Sequence, residues 1–160
     1  DVLRRSPSAK LFLAHLAKLA TFREPPLGFF RGFVLEKQGE YARTLNLKAG
    51  GLAAIVQLGR LYALAAGVGQ VATRSRLKAA AAAAALSEQG AEELIGAFDV
   101  LGEIRLVLQA RQIEAEQEVD YQLDPDTLTP LERHNLRAAF QVIGKMQDGL
   151  RLRFPIQHMS

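Results

Sequence analysis

Residues 52–66 constrain the fold more than any other segment of this sequence. They are apolar on almost every face of a helix, interrupted by one Gln, one Gly and one Arg. A helix that is hydrophobic all round is normally buried at the centre of a protein, because none of its faces is suited to water. Gly50-Gly51 precedes the segment, and Gly67-Val68-Gly69 is suited to ending it. The sequence therefore predicts a bundle of helices packed around this segment.

Four further segments predict helices around the central one. Each begins at a Ser or Thr, the residue types that satisfy the free N–H groups of a first helical turn. The last begins with Thr129-Pro130-Leu131-Glu132, which is a capping box with Pro at the first helical position. The predicted bounds are approximately Ser6–Thr21, Thr73–Leu86, Glu88–Gln117 and a final helix from Thr129. The predicted fold class is mainly α, a bundle of about five helices.

Residues 28–48 differ from the rest. Phe29, Phe30 and Phe33 favour an extended backbone, and the segment contains a plausible turn at Lys37-Gln38-Gly39. Apolar and polar residues alternate from Thr44 to Lys48. We therefore expect a short β-like hairpin or an ordered extended insert near residues 28–48.

The length of 160 residues suits a single domain, predicted to span residues 1–160. The sequence has no Cys, which excludes disulfides, thiolate metal sites and a thiol nucleophile. It has no run of 18 apolar residues, so we expect no membrane span. It begins at Asp1 without Met and without a signal-peptide pattern. We interpret it as a fragment of a longer cytoplasmic protein.

Charge is distributed unevenly along the chain. Residues 1–80 contain 13 Lys and Arg against 4 Asp and Glu, whereas residues 81–160 contain 7 against 13. A basic half attracts nucleic acid or phosphate ligands. It also suits packing against the acidic half or against an acidic partner domain. The second interpretation is favoured, because the Lys and Arg residues form no tight cluster.

Two short motifs resemble sites of known chemistry. Residues 67–72 match the glycine-rich pattern of dinucleotide-binding proteins, but they follow a predicted helix rather than a strand, so we interpret the glycines as a helix end. Asp124-Pro125-Asp126 resembles the carboxylate pair of nucleotidyl transfer. It lies in a predicted loop with Pro at its centre, which favours a turn before the last helix. We therefore predict no catalytic residue and no metal site in this chain.

Arg105 and Gln109 are the first candidate binding residues. Arg105 lies on a stripe of the long helix where apolar residues are expected, and Gln109 follows one turn later on the same side. The members of the stripe are Ala91, Leu94, Phe98, Leu101, Arg105, Leu108 and Gln112. A buried cation needs a partner or a ligand. The alternatives are a structural salt bridge to a carboxylate of the bundle and a contact to an anionic substrate.

Arg31 and Lys48 are the other two candidates. Arg31 lies among Phe and Leu residues, and Lys48 precedes the Gly-Gly start of the central helix. A Lys beside a glycine-rich helix N-terminus is suited to a phosphate or a carboxylate. A solvated Lys that contacts a partner domain is the alternative. The predicted substrate-binding set is Arg31, Lys48, Arg105 and Gln109.

Three segments of the sequence resemble one family, in order and over nearly the whole chain. They are PPLGFFRGFVLEKQGEYARTLNLKAGGLAAIVQLGRLYALAAG (25–67), LGEIRLVLQARQIE (101–114) and LDPDTLTPLERHNLRAAFQVI (123–143). The family is the nucleotidyltransferase substrate-binding domain. The resemblance implies a helical bundle that packs against an adjacent nucleotidyltransferase domain and completes its substrate cleft.

The resemblance also implies a context. Such domains lie at the C-terminus of bacterial signalling proteins, after a nucleotidyltransferase domain similar to that of protein-PII uridylyltransferase. Cyclic-nucleotide-binding and CBS domains often precede both. Mg²⁺ and a nucleoside triphosphate would be bound by the parent catalytic domain, with no cofactor in this fragment. The acceptor would be a protein or a small molecule.

Two functions from different classes follow. The first is a non-catalytic substrate-binding and lid domain of a nucleotidyltransferase. The second is a helical interaction module that relays ligand signals or forms a homodimer. Nucleic-acid binding by the basic half is a weaker third interpretation.

Overall fold

The computed structural model describes residues 2–28 and 32–154. Within these ranges the chain forms six α-helices and one pair of short strands. In order, they are α1 (Val2–Arg5), α2 (Lys10–Thr21), β1 (Leu45–Asn46), α3 (Ala53–Ala65), α4 (Thr73–Ala82), α5 (Glu88–Glu114), β2 (Gln122–Leu123) and α6 (Pro130–Arg153). The mainly α prediction is confirmed, with six helices in the described part of the chain where about five were expected.

Helix α3 lies at the centre of the bundle, as its apolar composition predicts. Ile55, Leu58 and Leu61 are buried, and α3 packs between α2 and α4. A wide π-type turn, Lys48–Leu52, leads into α3 and also packs on α5. This turn needs glycine, since a Cβ atom on Gly50 would lie 2.7 Å from the backbone oxygen of Glu24. The central helix is therefore held closely on several sides.

The two longest helices, α5 and α6, run antiparallel. Lys145, late in α6, pairs with Glu93, early in α5, at 3.1 Å. The predicted stripe of α6 is buried, as shown by Leu136, Phe140 and Ile143. Two of the predicted N-terminal caps are present, because Ser87 accepts from the backbone of Gly90 and the capping box at Thr129 is formed on both sides. The cap predicted at Thr73 is wrong, because Thr73 is the first residue of α4 and the cap position is Ala72, which forms no side-chain cap. This helix pair forms the second half of the core.

Some helix ends differ from the prediction. The first predicted helix is divided into α1, a 3₁₀ turn at Ser6–Ser8 and α2. The Ser6 hydroxyl hydrogen-bonds to the carbonyl oxygens of Leu3 and Leu64 instead of capping a helix. Helix α4 ends within the alanine run, because Ala84 has a positive φ of 55° and reverses the chain. These ends depend on tertiary contacts or on a backbone reversal that the local sequence does not encode.

In residues 32–48, the described part of the insert between α2 and α3, the chain folds back around a turn, but β1 pairs outside the insert. Phe29 and Phe30 lie outside the described residues. Leu45 pairs with Leu123 and Asn46 with Gln122 in an antiparallel arrangement. Inside the insert, the Glu36 backbone N–H donates to the backbone oxygen of Thr44 at 2.9 Å. Gly39 has φ of 85°, which confirms the turn predicted at that position. The pairing of β1 with β2 ties the insert to the loop that follows α5.

Candidate functional site

The structure describes three of the four predicted binding residues. Lys48, Arg105 and Gln109 lie in the described part of the chain, whereas Arg31 lies outside the described residues. The three are contributed by the π-type turn before α3 and by the C-terminal half of α5.

Gln109 and Lys48 meet at one short segment, Asp120–Tyr121. The Gln109 side-chain amide donates to the backbone oxygen of Asp120 at 3.3 Å. Lys48 Nζ lies 5.2 Å from the centre of the Tyr121 ring, in a cation–π contact. Gln109 and Lys48 therefore contact neighbouring residues of one segment.

The Asp120–Tyr121 segment is fixed from two directions. Gln112 of α5 donates to the Asp120 carboxylate at 2.7 Å, and its amide oxygen accepts from the Asp120 backbone N–H at 3.1 Å. On the other side, the Leu47 backbone N–H donates to the backbone oxygen of Tyr121 at 3.0 Å. Because Gln112 is buried and Asp120 is half-buried, the bonds between them are partly shielded from water and hold the backbone of this segment in place.

Lys48 is placed by the side chain of Asn46. The Asn46 side-chain oxygen accepts from the backbone N–H groups of Lys48 and Ala49, both at 2.9 Å. Asn46 therefore caps the turn in the way that Asn caps a helix. The Lys48 side chain remains exposed to solvent beside the Tyr121 ring. Its ammonium group is thus held at the surface, accessible to an anion.

Arg105 is the most unusual group of the site. Its Nε atom is buried and has no hydrogen-bond partner within residues 2–28 and 32–154. No carboxylate in residues 2–28 and 32–154 forms an ion pair with Arg105, so the structural salt bridge considered above is not found among them. A buried donor without an acceptor is destabilising by about 1–3 kcal/mol. This atom is suited to an acceptor that arrives from outside the chain.

The surroundings of Arg105 are set by its neighbours on α5. One turn before it, Leu101 packs against the turn that begins at Lys48, since a Cβ on Gly51 would be 3.2 Å from Leu101 Cδ1. One turn after it, Gln109 contacts Asp120. Arg105 therefore lies on the strip of α5 between the Lys48 turn and the Asp120–Tyr121 segment. A guanidinium at such a place can bind phosphate or carboxylate oxygens.

Sequence reasoning identified Gln112 only as a member of the stripe and did not identify Tyr121. Gln112 stands at a core position of α5, and a buried amide there indicates a specific polar partner. Tyr121 gives no such signal, because a single aromatic residue in a loop has no periodicity from which its packing can be inferred.

The acidic motif at 124–126 is structural. The Asp124 carboxylate accepts from the Asp126 backbone N–H at 2.9 Å, and Asp126 pairs with Arg43 at 2.7 Å. This confirms the predicted turn before the last helix. The glycine-rich motif at residues 67–72 is structural as well. Gly67 has φ of 68° and follows the end of α3, which confirms the predicted helix end. Across the described residues, no group of three or more His, Asp or Glu side chains is placed to hold a metal ion.

A groove of about 580 Å³ lies between α6 and the Pro25–Leu27 segment. Its main cation, Arg151, is already paired with Glu24 at 2.7 Å and with Asp148 at 2.8 Å. Because these charges neutralise one another, the groove offers less to an anionic ligand than Arg105 does.

Comparison with known families gives a match over most of the chain. Residues 10–154 match the family described as "Putative nucleotidyltransferase substrate binding domain". The chain belongs to this family. No curated protein and no solved structure gives a significant match. In the described part of this family member, no helix is both long enough and apolar enough to cross a membrane.

Proposed function

We propose that this chain is the non-catalytic substrate-binding domain of a bacterial signalling protein, and that Arg105, Gln109 and Lys48 contact an anionic group of the substrate. The observation that supports the site is the buried Arg105 Nε, which has no acceptor among the residues that the structure describes. Lys48 adds an exposed ammonium group, and Gln109 orders the segment that supports it.

The transfer reaction is assigned to an adjacent nucleotidyltransferase domain of the same protein, similar to that of protein-PII uridylyltransferase. Mg²⁺ does not fit the described residues of this chain, since they contain no suitable ligand cluster. When bound by the catalytic domain, Mg²⁺ would neutralise triphosphate charge. The contribution of this chain would be to bind and orient a substrate and to exclude water from it.

The role of Gln109 differs from that of the two cations. Its amide group already donates to the Asp120 oxygen, so its main effect is to position the Asp120–Tyr121 segment beneath Lys48. Arg105 and Lys48 supply the positive charge. Arg105 offers a planar set of donors suited to phosphate or carboxylate, whereas Lys48 acts as a point charge.

A binding experiment on the 160-residue chain tests the site. ATP, UTP and inorganic pyrophosphate would be titrated with and without Mg²⁺ and followed by calorimetry. We expect Arg105→Gln to weaken binding of the probe that binds best about tenfold or more, since a charge-assisted hydrogen bond contributes about 1.5–3 kcal/mol. Arg111→Gln, an exposed Arg on the same helix, is the matched control and should change binding less than about twofold. Equal binding by the wild type and Arg105→Gln would refute the assignment.

The sequence upstream of Asp1 in the parent protein tests the domain assignment. A Gly-Ser followed by a D-x-D pattern on a strand would identify the catalytic domain. The second function, a helical interaction module, is favoured by a separate observation, which concerns the exposed apolar faces of α2 and α5.

A further inference from the structure

Helix α2 is apolar on two opposite sides. Its inner side is buried in the core through Leu13, Ala17 and Ala20. Its outer side exposes four large apolar side chains, between 49% and 77% accessible, at helical spacing: Leu11, Phe12, Leu19 and Phe22. A helix that is apolar all round is normally covered on every side. The outer side of α2 therefore has the composition of a contact surface.

Cations border this surface. The carboxylate that follows it in the chain, Glu24, is paired with Arg151 at 2.7 Å. Lys18 and Arg23, both exposed, flank the apolar side chains. We call the surface formed by Leu11, Phe12, Leu19, Phe22, Lys18 and Arg23 the basic face. A partner that suits it would present apolar side chains bordered by carboxylates.

Helix α5 presents a surface of that description. Its C-terminal half exposes apolar side chains at positions 106, 107, 110 and 113, of which Leu106, Val107 and Ile113 are between 43% and 64% accessible. Glu103 and Glu114 lie on the same side by helical spacing. Residues 113–120 contain four Asp and Glu residues and no Lys or Arg. We call the surface formed by Leu106, Val107, Ala110, Ile113, Glu103 and Glu114 the acidic face.

The two faces match in length as well as in charge. Helix α2 has 12 residues, about 18 Å at 1.5 Å per residue. The acidic face, from Glu103 to Glu114, covers the same length of α5. Arg111 borders the acidic face, and the Glu132 carboxylate of α6 offsets part of its charge. Apolar side chains can thus meet apolar ones while cations meet carboxylates.

We propose that the basic face of one copy of this chain docks on the acidic face of a second copy. The two faces are different surfaces, so the contact is heterologous. Each copy in a pair keeps one unused face, and longer assemblies form unless the rotation between copies closes a ring. The proposal concerns the association of the chain and is independent of the substrate-binding site.

Sedimentation velocity of the 160-residue chain over a range of concentrations tests association. We expect larger species as the concentration rises. Association should weaken when the NaCl concentration is raised about tenfold, because salt screens exposed charges. A chain that stays monomeric at every concentration would overturn the proposal, as would association that salt strengthens.

Variants of each face identify the surfaces. Phe22→Glu places a like charge opposite the acidic face, and Ile113→Lys does the same opposite the basic face. Each variant alone should raise the dissociation constant about tenfold or more. Val71→Glu and Val71→Lys are the controls, since Val71 is 81% accessible and lies on neither helix. Far-ultraviolet circular dichroism verifies that every variant is folded.

Mixing the two variants gives the decisive result. Phe22→Glu keeps an acidic face and Ile113→Lys keeps a basic face, so the mixture should form one-to-one pairs and nothing larger. Failure of the mixture to associate, or loss of association in only one of the variants, would overturn the pairing of these two faces. A monomeric chain whose basic face instead binds phosphatidylserine vesicles, with loss of that binding in Phe22→Glu, would also overturn it.

Discussion

Gln147 donates its side-chain amide to the backbone oxygen of Ala20 at 2.9 Å, and so joins α6 to the end of α2. The same amide donates to the Arg23 oxygen at 2.8 Å. Gln147 is completely buried, so no water can replace these bonds. We expect Gln147→Leu to lower the free energy of unfolding by about 1–3 kcal/mol, because it leaves buried carbonyl groups without donors. Gln141→Leu, at a half-exposed site on the same helix, is the control, and urea denaturation measures both.

The central position of α3 predicts a large effect for Leu58→Ala. Leu58 is fully buried, and the substitution removes packed apolar atoms and leaves a cavity. We expect a loss of about 2–5 kcal/mol in the free energy of unfolding. Leu152→Ala, at a site that is 86% accessible, should cost less than about 0.5 kcal/mol. A loss below about 0.5 kcal/mol at Leu58 would be inconsistent with a buried α3.

Substitution by alanine should change the free energy of unfolding in opposite directions at Gly50 and Gly96. A Cβ on Gly50 would be 2.7 Å from the Glu24 oxygen, whereas a Cβ on Gly96 would have nothing within 4 Å. Gly96 lies in the interior of α5, where Ala is favoured over Gly. We expect Gly96→Ala to raise the free energy of unfolding by about 0.5–1 kcal/mol, and Gly50→Ala to lower it. Thermal unfolding monitored by circular dichroism gives the sign of each change.

Substitution of Arg105 should impair transfer by the parent enzyme without a large loss in the free energy of unfolding. Arg105→Met removes a buried donor that has no partner, so the free energy of unfolding should stay within about 1 kcal/mol of the wild type or rise. In the parent enzyme, Arg105→Lys should impair transfer, because Lys cannot reproduce the planar donor geometry. A stability loss of about 3–5 kcal/mol with unimpaired turnover would instead indicate a buried ion pair.

The contribution of the Glu132 carboxylate to stability should depend on pH. Hydrogen bonds from the backbone N–H and side chain of Thr129 lower the pKa of the Glu132 carboxyl below its ordinary value of 4.5. A lowered pKa in the folded state means that the stabilisation is present above the unfolded value and is lost as the pH falls through the folded value. The difference in melting temperature between the wild type and Glu132→Gln should therefore shrink between pH 7 and about pH 3. A difference that grows on acidification would contradict the capping geometry.

The helices could be predicted from the sequence because their signals are local. The nearly continuous apolar composition of residues 52–66 located α3, and Ser87 and Thr129 marked helix starts that the structure confirms. The helix ends near Ala84 and Glu116 were not predicted, since each depends on a non-Gly residue with positive φ in a segment of good helix formers. The partner of β1 was also not predicted, because a two-residue strand gives no indication of the distant strand it pairs with.

The candidate site was predictable in part for the same reason. Arg105 and Gln109 stand out on a helical stripe, and their spacing fixes their common side. The placement of Lys48 against Tyr121 depends on the pairing of β1 with β2, which no local pattern encodes. The prediction for Arg31 concerns a residue outside the described part of the chain.

The pairing of β1 with β2 has a consequence for the order of folding. The hydrogen bond that borders it joins Thr44 and Gln122, 78 positions apart. Closing so long a loop is entropically costly, and two-residue strands offset little of that cost by themselves. The helices between them must first shorten the distance, so the insert docks late. Lys48 is therefore placed against Tyr121 only in the last stage of folding. The backbone amide hydrogens of β1 and β2 should then exchange with solvent before those of α3 do.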